Sequence, residues 1–207
     1  MTDPGQPLRE ADVDPDPVAQ FAVWFEQAAD AGVPAPEAAA VATAGADGAP
    51  SVRMVLVKRA DASGFVFYTN YDSRKGQELA VNPLAALLFY WSPLNRQVRI
   101  EGPAQRLPVQ ETATYIRSRA RGSQLSALAS PQSRPIESRA VLEQRVADLA
   151  DRYAGTELPL PLPESWGGFR LVPETFEFWQ QRDDRLHDRL RYSRTAGSDW
   201  RLERLAP

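Results

Sequence analysis

The basic segment "RLHDRLRY", residues 185–192, carries the side chains best suited to bind an anion. It contains the single histidine of the chain, His187, with an arginine two residues away on each side. Alternate side chains of a β-strand share a face, which predicts a row of basic groups here. The row consists of Arg185, His187, Arg189 and Arg191. Such groups repel one another unless water or an anion lies between them. The segment therefore predicts either a solvated edge strand or one wall of an anion site.

Two further stretches combine cationic groups with strand and helix signals. In "RMVLVK", Arg53 and Lys58 are five residues apart, which directs them to opposite faces of a strand unless a bulge intervenes. That spacing favours the ordinary interpretation, a polar strand face and a lysine at the strand end. In "SRKG", Ser73 is a helix cap followed by Arg74 and Lys75 in the first turn. Cations are unfavourable at the positive end of a helix unless an anion compensates, so this stretch predicts a phosphate site.

A third group of donors follows at steps of four residues. Tyr115, Arg119 and Ser123 would form one stripe on a continuous helix, although Gly122 is expected to break that helix before Ser123. Two hydroxyls and a guanidinium form a donor set that suits the oxygens of a phosphate. Spacing alone favours a solvated helix face, because other arginines supply similar charges nearby.

Composition excludes several classes of chemistry. The chain has 207 residues, 43% of them hydrophobic, with no cysteine and one histidine. Thiolate nucleophiles, iron–sulfur clusters and cysteine or multi-histidine metal sites are therefore excluded, and no metal site is predicted. The phosphate-binding motifs G-x-x-x-x-G-K-[ST] and G-x-G-x-x-G do not occur in the sequence. An enzyme with this composition is expected to rely on an organic cofactor for its difficult chemistry.

Charge and hydropathy limit the partners and the location. The net charge of −3 argues against a general nucleic-acid binder, whose affinity comes from neutralising phosphates. The sequence has no apolar run long enough to span a bilayer, so no membrane partner is expected. The N-terminus "MTDPGQPLREADVDPDP" is acidic and proline-rich, unlike a signal or transit peptide. We therefore expect a cytoplasmic protein.

The elements that must position these groups are mostly strands. Residues 1–15, rich in Asp, Pro and Gly, predict a disordered N-terminal segment, and residues 16–207 predict a single domain. Helices are expected over 16–32, 73–82, 109–120 and 136–154. Strands are expected within 37–60, as a hairpin around an Asp-Gly turn, and within 65–70, 85–91, 97–107, 169–180, 185–192 and 199–207. This pattern predicts an α+β fold, mainly β, with a closed barrel and flanking helices.

Nine short segments together resemble a known family. They occur in the order found in the pyridoxine/pyridoxamine 5′-phosphate oxidases, from about Asp16 to the terminal "RLAP". The segments are "RMVLVK", "FYTN", "SRKG", "RQVRIEG", "SRARGSQ", "SPQS", "WGGFRL", "EFWQ" and "RLHDRLRY". The resemblance implies a homodimeric FMN-binding split β-barrel with FMN at the subunit interface. It also implies oxidation of pyridoxine or pyridoxamine 5′-phosphate to pyridoxal 5′-phosphate, with O2 becoming H2O2.

The resemblance assigns roles to individual residues. It implies FMN contacts at Arg53, Met54, Val55, Leu56, Val57, Lys58, Tyr68, Thr69, Arg74, Lys75, Gln97, Gln132, Ser133, Trp179 and Arg189. It implies substrate-phosphate contacts at Lys58, Tyr115, Arg119 and Ser123. Arg185 and His187 become the candidate catalytic residues, facing the substrate ring. The basic segment would then line a cleft in which two phosphate groups relieve its repulsion.

The resemblance leaves two alternatives. Family members often carry an N-terminal Arg-x-x-Tyr segment, which folds over the substrate and precedes the position of Leu8–Arg9; it has no counterpart in this sequence. A related flavin oxidase of the phenazine-biosynthetic type, acting on another aromatic metabolite, is one alternative. Such enzymes act on unphosphorylated compounds, whereas Tyr115, Arg119 and Ser123 are all retained here. The other is a non-catalytic flavin- or PLP-binding protein, which peroxide release during turnover would distinguish from an enzyme.

Overall fold

The computed structural model describes residues 6–155, 160–194 and 199–207. Within these residues the helices are α1 (Pro17–Asp30), α2 (Arg74–Val81), α3 (Val109–Ser118), α4 (Arg121–Ala129) and α5 (Arg139–Arg152). The strands are β1 (Ala38–Ala44), β2 (Pro50–Asp61), β3 (Gly64–Asn70), β4 (Leu84–Trp91), β5 (Arg96–Arg106), β6 (Trp166–Leu171), β7 (Thr175–Gln180), β8 (Asp188–Ser193) and β9 (Arg201–Arg204). None of the described helices is long and apolar enough to cross a membrane.

Six antiparallel strands close into a barrel. Their order is β4-β1-β2-β3-β6-β5, and pairing of β4 with β5 completes the ring. β5 is shared between two surfaces, since residues 96–101 also pair with β7 and residues 104–106 pair with β6. β8 and β9 extend the sheet beyond β7. The predicted barrel with flanking helices is therefore confirmed, and closure leaves its six strands without free edges.

Aromatic rings fill the barrel and hold α1 against it. The helix begins where the sequence predicts, because the Asp16 carboxylate accepts a hydrogen bond of 2.9 Å from the Val18 amide. Phe21 projects from α1 and makes edge contacts with Phe65 and Phe89, at centroid distances of 4.9 and 5.0 Å. Each aromatic pair of this kind adds about 0.5–1.5 kcal/mol beyond burial of its area. These contacts hold the helix against the aromatic core of the barrel.

Part of the N-terminal segment is structured, although its composition predicts disorder. Residues 1–5 lie outside the described residues, but Leu8 is 1% exposed and belongs to the hydrophobic core. Its amide donates to Asp188 at 3.1 Å, and its carbonyl accepts from Arg204 at 2.7 Å. Arg204 also pairs with Glu10. These anchors come from β8 and β9, far along the chain, so local composition gave no sign of them.

The helical stripe of Tyr115, Arg119 and Ser123 does not form. α3 ends at Ser118, and Arg119 is extended, with φ −77° and ψ 153°. α4 then begins at Arg121 and contains Gly122. The break therefore lies before the glycine rather than at it, and the three donors occupy two helices and the bend between them.

The basic row predicted for residues 185–192 also forms only in part. Arg185 lies in a short 3-10 turn, and β8 begins at Asp188, so only Arg189 and Arg191 alternate on a strand. Asp184 and Arg185 have φ angles of 53° and 62°, in the left-handed region. Such backbone costs on the order of 1–3 kcal/mol per residue and concentrates at functional sites. The turn separates Arg185 from the strand that carries Arg189.

Candidate active site

Cationic and amide groups converge at the start of α2. We call Arg53, Thr69, Arg74, Lys75 and Gln132 the basic cluster. Lys75 is only 9% exposed, and its Nζ donates to Thr69 Oγ1 at 2.9 Å and to Gln132 Oε1 at 3.2 Å. Thr69 lies at the end of β3, and Gln132 lies in the loop after α4. The structure thus brings together predicted FMN contacts from four separate parts of the chain.

The Lys75 ammonium is buried among neutral oxygen acceptors. Burial and, to a smaller extent, the charge of Arg53 lower the pKa of Lys75 to about 8, although Glu78 opposes the shift. A buried cation costs free energy unless an anion compensates it. A phosphate monoester at this position would supply that charge and accept hydrogen bonds from Lys75 and Arg53. The residues present therefore fit the phosphate end of FMN.

The loop that carries Gln132 has an unusual backbone. Gln132 donates its amide to the Ser130 carbonyl at 2.9 Å, and Ser133 has a φ of 70°. Left-handed backbone at a residue other than glycine is uncommon and marks a constrained turn. The turn directs the Gln132 side chain toward Lys75, and Ser133 is the next residue in the chain.

An irregularity in β2 affects the position of Lys58. The pairing of β2 with β3 shifts register between Val57 and Arg59, so Lys58 is the extra residue of a β-bulge. On a regular strand, the five-residue spacing would direct Arg53 and Lys58 to opposite faces. The bulge supplies the shift that both side chains need in order to reach one site. Lys58 Nζ pairs with Glu37 at 3.3 Å. None of the contacts described for Lys58 joins it to the basic cluster.

A second group of predicted residues lies side by side on the extended sheet. Gln97 of β5 is opposite Trp179 of β7, which is opposite Arg189 of β8. The Trp179 ring lies 4.7 Å from the His187 imidazole, centroid to centroid. His187 Nδ1 accepts the Arg182 amide at 3.1 Å, so the neutral ring carries its proton on Nε2. Three predicted FMN contacts and one predicted substrate contact therefore form a single surface.

Carboxylates on neighbouring strands neutralise the arginines of β8. Arg189 makes two hydrogen bonds to Glu177, at 2.8 and 3.1 Å, and Arg191 pairs with Glu203 at 2.7 Å. Phosphate groups are therefore not needed to relieve repulsion between Arg189 and Arg191, which corrects that part of the explanation drawn from the resemblance. The sequence could not indicate these two ion pairs, because strand register decides which carboxylate lies beside each arginine.

A third group surrounds an open cavity of about 370 Å³. Tyr68 and Tyr115 stack there, with ring centroids 3.6 Å apart and planes 8° from parallel. Burial raises the pKa of Tyr68. Arg119 lies over the Trp166 ring at 5.8 Å, and the Ser123 amide donates to the Ala120 carbonyl. Tyr68 and Tyr115 thus lie against each other, while the described contacts of Arg119 and Ser123 are made elsewhere.

Three polar residues next to the basic cluster were missed by sequence reasoning. Glu78 accepts hydrogen bonds from Arg74 at 2.8 Å, Arg53 at 3.2 Å and the Ser51 hydroxyl at 2.6 Å. Thr43 is opposite Ser51 in the hairpin of β1 and β2 and also donates to Glu78. The Asp-Gly turn of this hairpin carried a usable signal, since it sets the register that pairs the two hydroxyls.

One face of the sheet is apolar and exposed. On β2 the outward side chains are Val52, Met54 and Leu56, with Val52 68% exposed. Alanines of β1 lie opposite them, and β4 continues the face with Leu88 and Tyr90. We call these five larger side chains the outer apolar face. Contiguous exposed apolar surface of this kind marks a protein–protein interface.

Two family profiles cover most of the chain. The profile described as "Pyridoxamine 5'-phosphate oxidase" matches residues 25–153. The profile described as "Pyridoxine 5'-phosphate oxidase C-terminal dimerisation region" matches residues 166–207, which hold β6 to β9. The second match covers the strands that carry Trp179 and Arg189.

Curated relatives and solved structures agree with the profiles. The pyridoxine/pyridoxamine 5'-phosphate oxidases of Burkholderia cenocepacia and Rubrobacter xylanophilus are 53% and 54% identical to this chain. Each alignment covers 97% of it, and 93% and 91% of those proteins. PhzG from Burkholderia lata, solved with tetrahydrophenazine-1-carboxylic acid, is 35% identical with a TM-score of 0.89, covering 97% of this chain and 98% of that one. An FMN binding protein from Nostoc punctiforme, 16% identical, covers 91% and 96% with a TM-score of 0.71 and shares the fold. This chain therefore belongs to the pyridoxine/pyridoxamine 5′-phosphate oxidase family.

Proposed function

We propose that this protein is an FMN-dependent oxidase that converts pyridoxine or pyridoxamine 5′-phosphate to pyridoxal 5′-phosphate. The observation that carries the proposal is the identity of 53–54% to curated oxidases over 97% of the chain, together with a basic cluster that fits a phosphate. Bound FMN would supply a hydride acceptor for the substrate carbon and a route for the two electrons to O2, which gives H2O2; with the amine substrate, water would supply the aldehyde oxygen and the amino group would leave as ammonia. The protein binds and orients the reactants.

The basic cluster is proposed to hold the phosphate of FMN. Arg53, Arg74 and Lys75 supply charge, and Ser133 supplies a hydroxyl beside Gln132. Burial of Lys75 keeps water from competing for its ammonium. The main chain of residues 54–58 and the side chains Tyr68, Gln97, Trp179 and Arg189 complete the proposed flavin contacts.

The titration of Lys75 predicts a pH dependence. Lys75 of the flavin-free protein loses its proton near pH 8, so FMN affinity is expected to fall as pH rises through 8. Lysine in the unfolded chain keeps its proton to about pH 10.4, so the unfolded state binds more protons between these values. The flavin-free protein should therefore gain stability over the same window. Fluorescence titration with FMN and thermal melts between pH 7 and 10 check both trends; Lys75→Met should abolish them.

His187 and Arg185 are proposed to position the substrate. His187 Nδ1 is engaged by the Arg182 amide, which leaves the Nε2 proton available to a substrate oxygen. The planar Arg185 guanidinium is suited to lie against a pyridine ring. Lys58, Tyr115, Arg119 and Ser123 are proposed for the substrate phosphate.

A homodimer accounts for the separation, within one protomer, of the basic cluster from the surface formed by Gln97, Trp179 and Arg189. None of the hydrogen bonds or ring contacts described above joins the basic cluster to the surface of Gln97, Trp179 and Arg189. The outer apolar face lies between them on the sheet, and burying it against a second copy would bring residues of two chains to each flavin. A two-fold arrangement gives two equivalent sites.

We further propose one domain over residues 16–207 and a cytoplasmic location. The barrel and the β7–β9 extension share β5, which supports a single folding unit. The sequence contains no cysteine, so the fold needs no disulfide and is compatible with a reducing compartment. Neither nucleic acid nor membrane is proposed as a partner.

A second candidate is oxidation of an unphosphorylated aromatic compound. The structure of PhzG with tetrahydrophenazine-1-carboxylic acid, at 35% identity, favours it. The greater identity to the vitamer phosphate oxidases and the retained Tyr115, Arg119 and Ser123 favour the first function.

An assay with each substrate class tests the proposal. The purified protein is expected to show a flavin visible spectrum and to release H2O2 and pyridoxal 5′-phosphate in equal amounts from either phosphorylated vitamer. Activity confined to unphosphorylated aromatics would support the second candidate. A colourless protein that FMN cannot reconstitute would refute both.

Variants of the basic segment separate substrate binding from flavin binding. Arg185→Ala is expected to raise KM or lower kcat while FMN stays bound, and His187→Asn should do the same more mildly. Loss of one such contact costs about 1–3 kcal/mol. Arg189→Ala should instead lower FMN occupancy, with partial rescue by added FMN. Steady-state kinetics and flavin content measure the difference, and three near-wild-type proteins would mean that the segment is only surface.

A further inference from the structure

Glu78 forms the centre of a hydrogen-bond network that includes Arg53 and Arg74 of the basic cluster. It lies in α2 and is buried, with 8% exposure. Its Oε1 accepts from Arg74 Nε at 2.8 Å, and its Oε2 accepts from Arg53 Nη2 at 3.2 Å. The hydroxyls of Ser51 and Thr43 also donate to Oε2. One carboxylate therefore contacts two cations and two hydroxyls.

The directions of these hydrogen bonds are mutually consistent. Arg53 donates Nη1 to Thr43 Oγ1 and Nη2 to Ser51 Oγ. Each hydroxyl has one proton, which goes to Glu78, so its lone pairs remain for the guanidinium. Burial by itself would raise the pKa of Glu78, but the four hydrogen bonds lower it to about 2. The carboxylate is therefore ionised at neutral pH, as the network requires.

We propose that Glu78 is a positioning residue that fixes the guanidinium groups of Arg53 and Arg74 before a phosphate monoester binds. Thr43 and Ser51 support Arg53 in the same role. This inference rests on the proposed function, in which that phosphate belongs to FMN. An arginine that is free to rotate must be immobilised on binding, and the lost entropy opposes association. An arginine already held by Glu78 avoids that loss.

Charge balance agrees with this role. Arg53, Arg74 and Lys75 carry three positive charges, and Glu78 removes one, which leaves two against the charge of about −1.5 to −2 on a phosphate monoester near neutral pH.

The same contacts would also allow Glu78 to play the opposite role. If Glu78 merely competed with phosphate for Arg53, its removal would strengthen FMN binding. The two roles differ in the sign of the effect.

The experiment compares FMN with riboflavin, which lacks the phosphate. The Glu78→Gln variant of the full chain, freed of flavin, is titrated with each ligand by fluorescence quenching. We expect the ratio of FMN affinity to riboflavin affinity to fall about tenfold, with riboflavin affinity unchanged. A general structural defect would instead weaken both ligands. Glu203→Gln is the matched control, since Glu203 also pairs with an arginine on a strand, Arg191, and should leave the ratio unchanged.

An unchanged or increased ratio in a folded Glu78→Gln variant would overturn the inference. If circular dichroism shows that this variant does not fold, Ser51→Ala decides: we expect its ratio to fall about threefold, and no change would overturn the inference. A wild-type protein that binds FMN no better than riboflavin would refute the proposed flavin site itself, whatever the variants do.

Discussion

The Lys75→Met variant is expected to lose about a hundredfold in FMN affinity, because it removes the buried ammonium that compensates the phosphate. Loss of a charged hydrogen bond costs about 1.5–3 kcal/mol, and the upper end applies to a desolvated partner. Methionine is similar in length and fills the space between Thr69 and Gln132. The flavin-free variant should be at least as stable as the wild type, since it no longer buries an uncompensated charge. Fluorescence titration and thermal melts measure both quantities.

Riboflavin again provides the control for Lys75→Met. Its affinity should change little, because it has no phosphate for Lys75 to contact. Equal losses for FMN and riboflavin would contradict the assignment of Lys75 to the phosphate, and so would a flavin-free protein that melts well below the wild type.

Val52→Asp is expected to dissociate the homodimer and release FMN while the protomer stays folded. Val52 is 68% exposed on the outer apolar face of one protomer, so aspartate there meets water in the monomer. In the dimer the carboxylate would be buried without a partner, at a cost of several kcal/mol, roughly a hundredfold or more in the dissociation constant. Light scattering at micromolar concentration measures the mass, and the visible spectrum measures bound flavin.

Val109→Asp is the matched control for Val52→Asp. Val109 is 71% exposed at the start of α3, where an acidic residue favours the helix end. This variant should remain a flavin-loaded dimer. A Val52→Asp protein that also remained a dimer would place the subunit interface on another surface.

Local signals predicted the parts of the fold that depend on neighbouring residues. The Asp-Gly turn predicted the β1–β2 hairpin, and Asp16 predicted the start of α1. The cations at the start of α2 predicted an anion site from a local electrostatic mismatch. The approach of Gln132 to Lys75 followed only from the family resemblance, because the two residues are distant in sequence.

The errors came from partners that are distant in sequence. Leu8 is ordered because Asp188 and Arg204 bind its backbone. Arg189 and Arg191 are neutralised by carboxylates whose position depends on strand register. Periodicity describes one element at a time, and cannot show which side chain a neighbouring strand will present.

The double membership of β5 has an evolutionary consequence. Because this strand pairs with β4 and β6 in the barrel and with β7 in the extension, a deletion of one residue within it would reverse the face of every side chain beyond that point. If Gly102 were deleted, for example, Ala104 would turn outward while Gln105 turned inward, and the pairing with β6 would lose its alignment with the pairing to β7. Change in chain length should therefore accumulate in descendants of this protein at the connections between strands, with β5 constant in length even where its composition drifts.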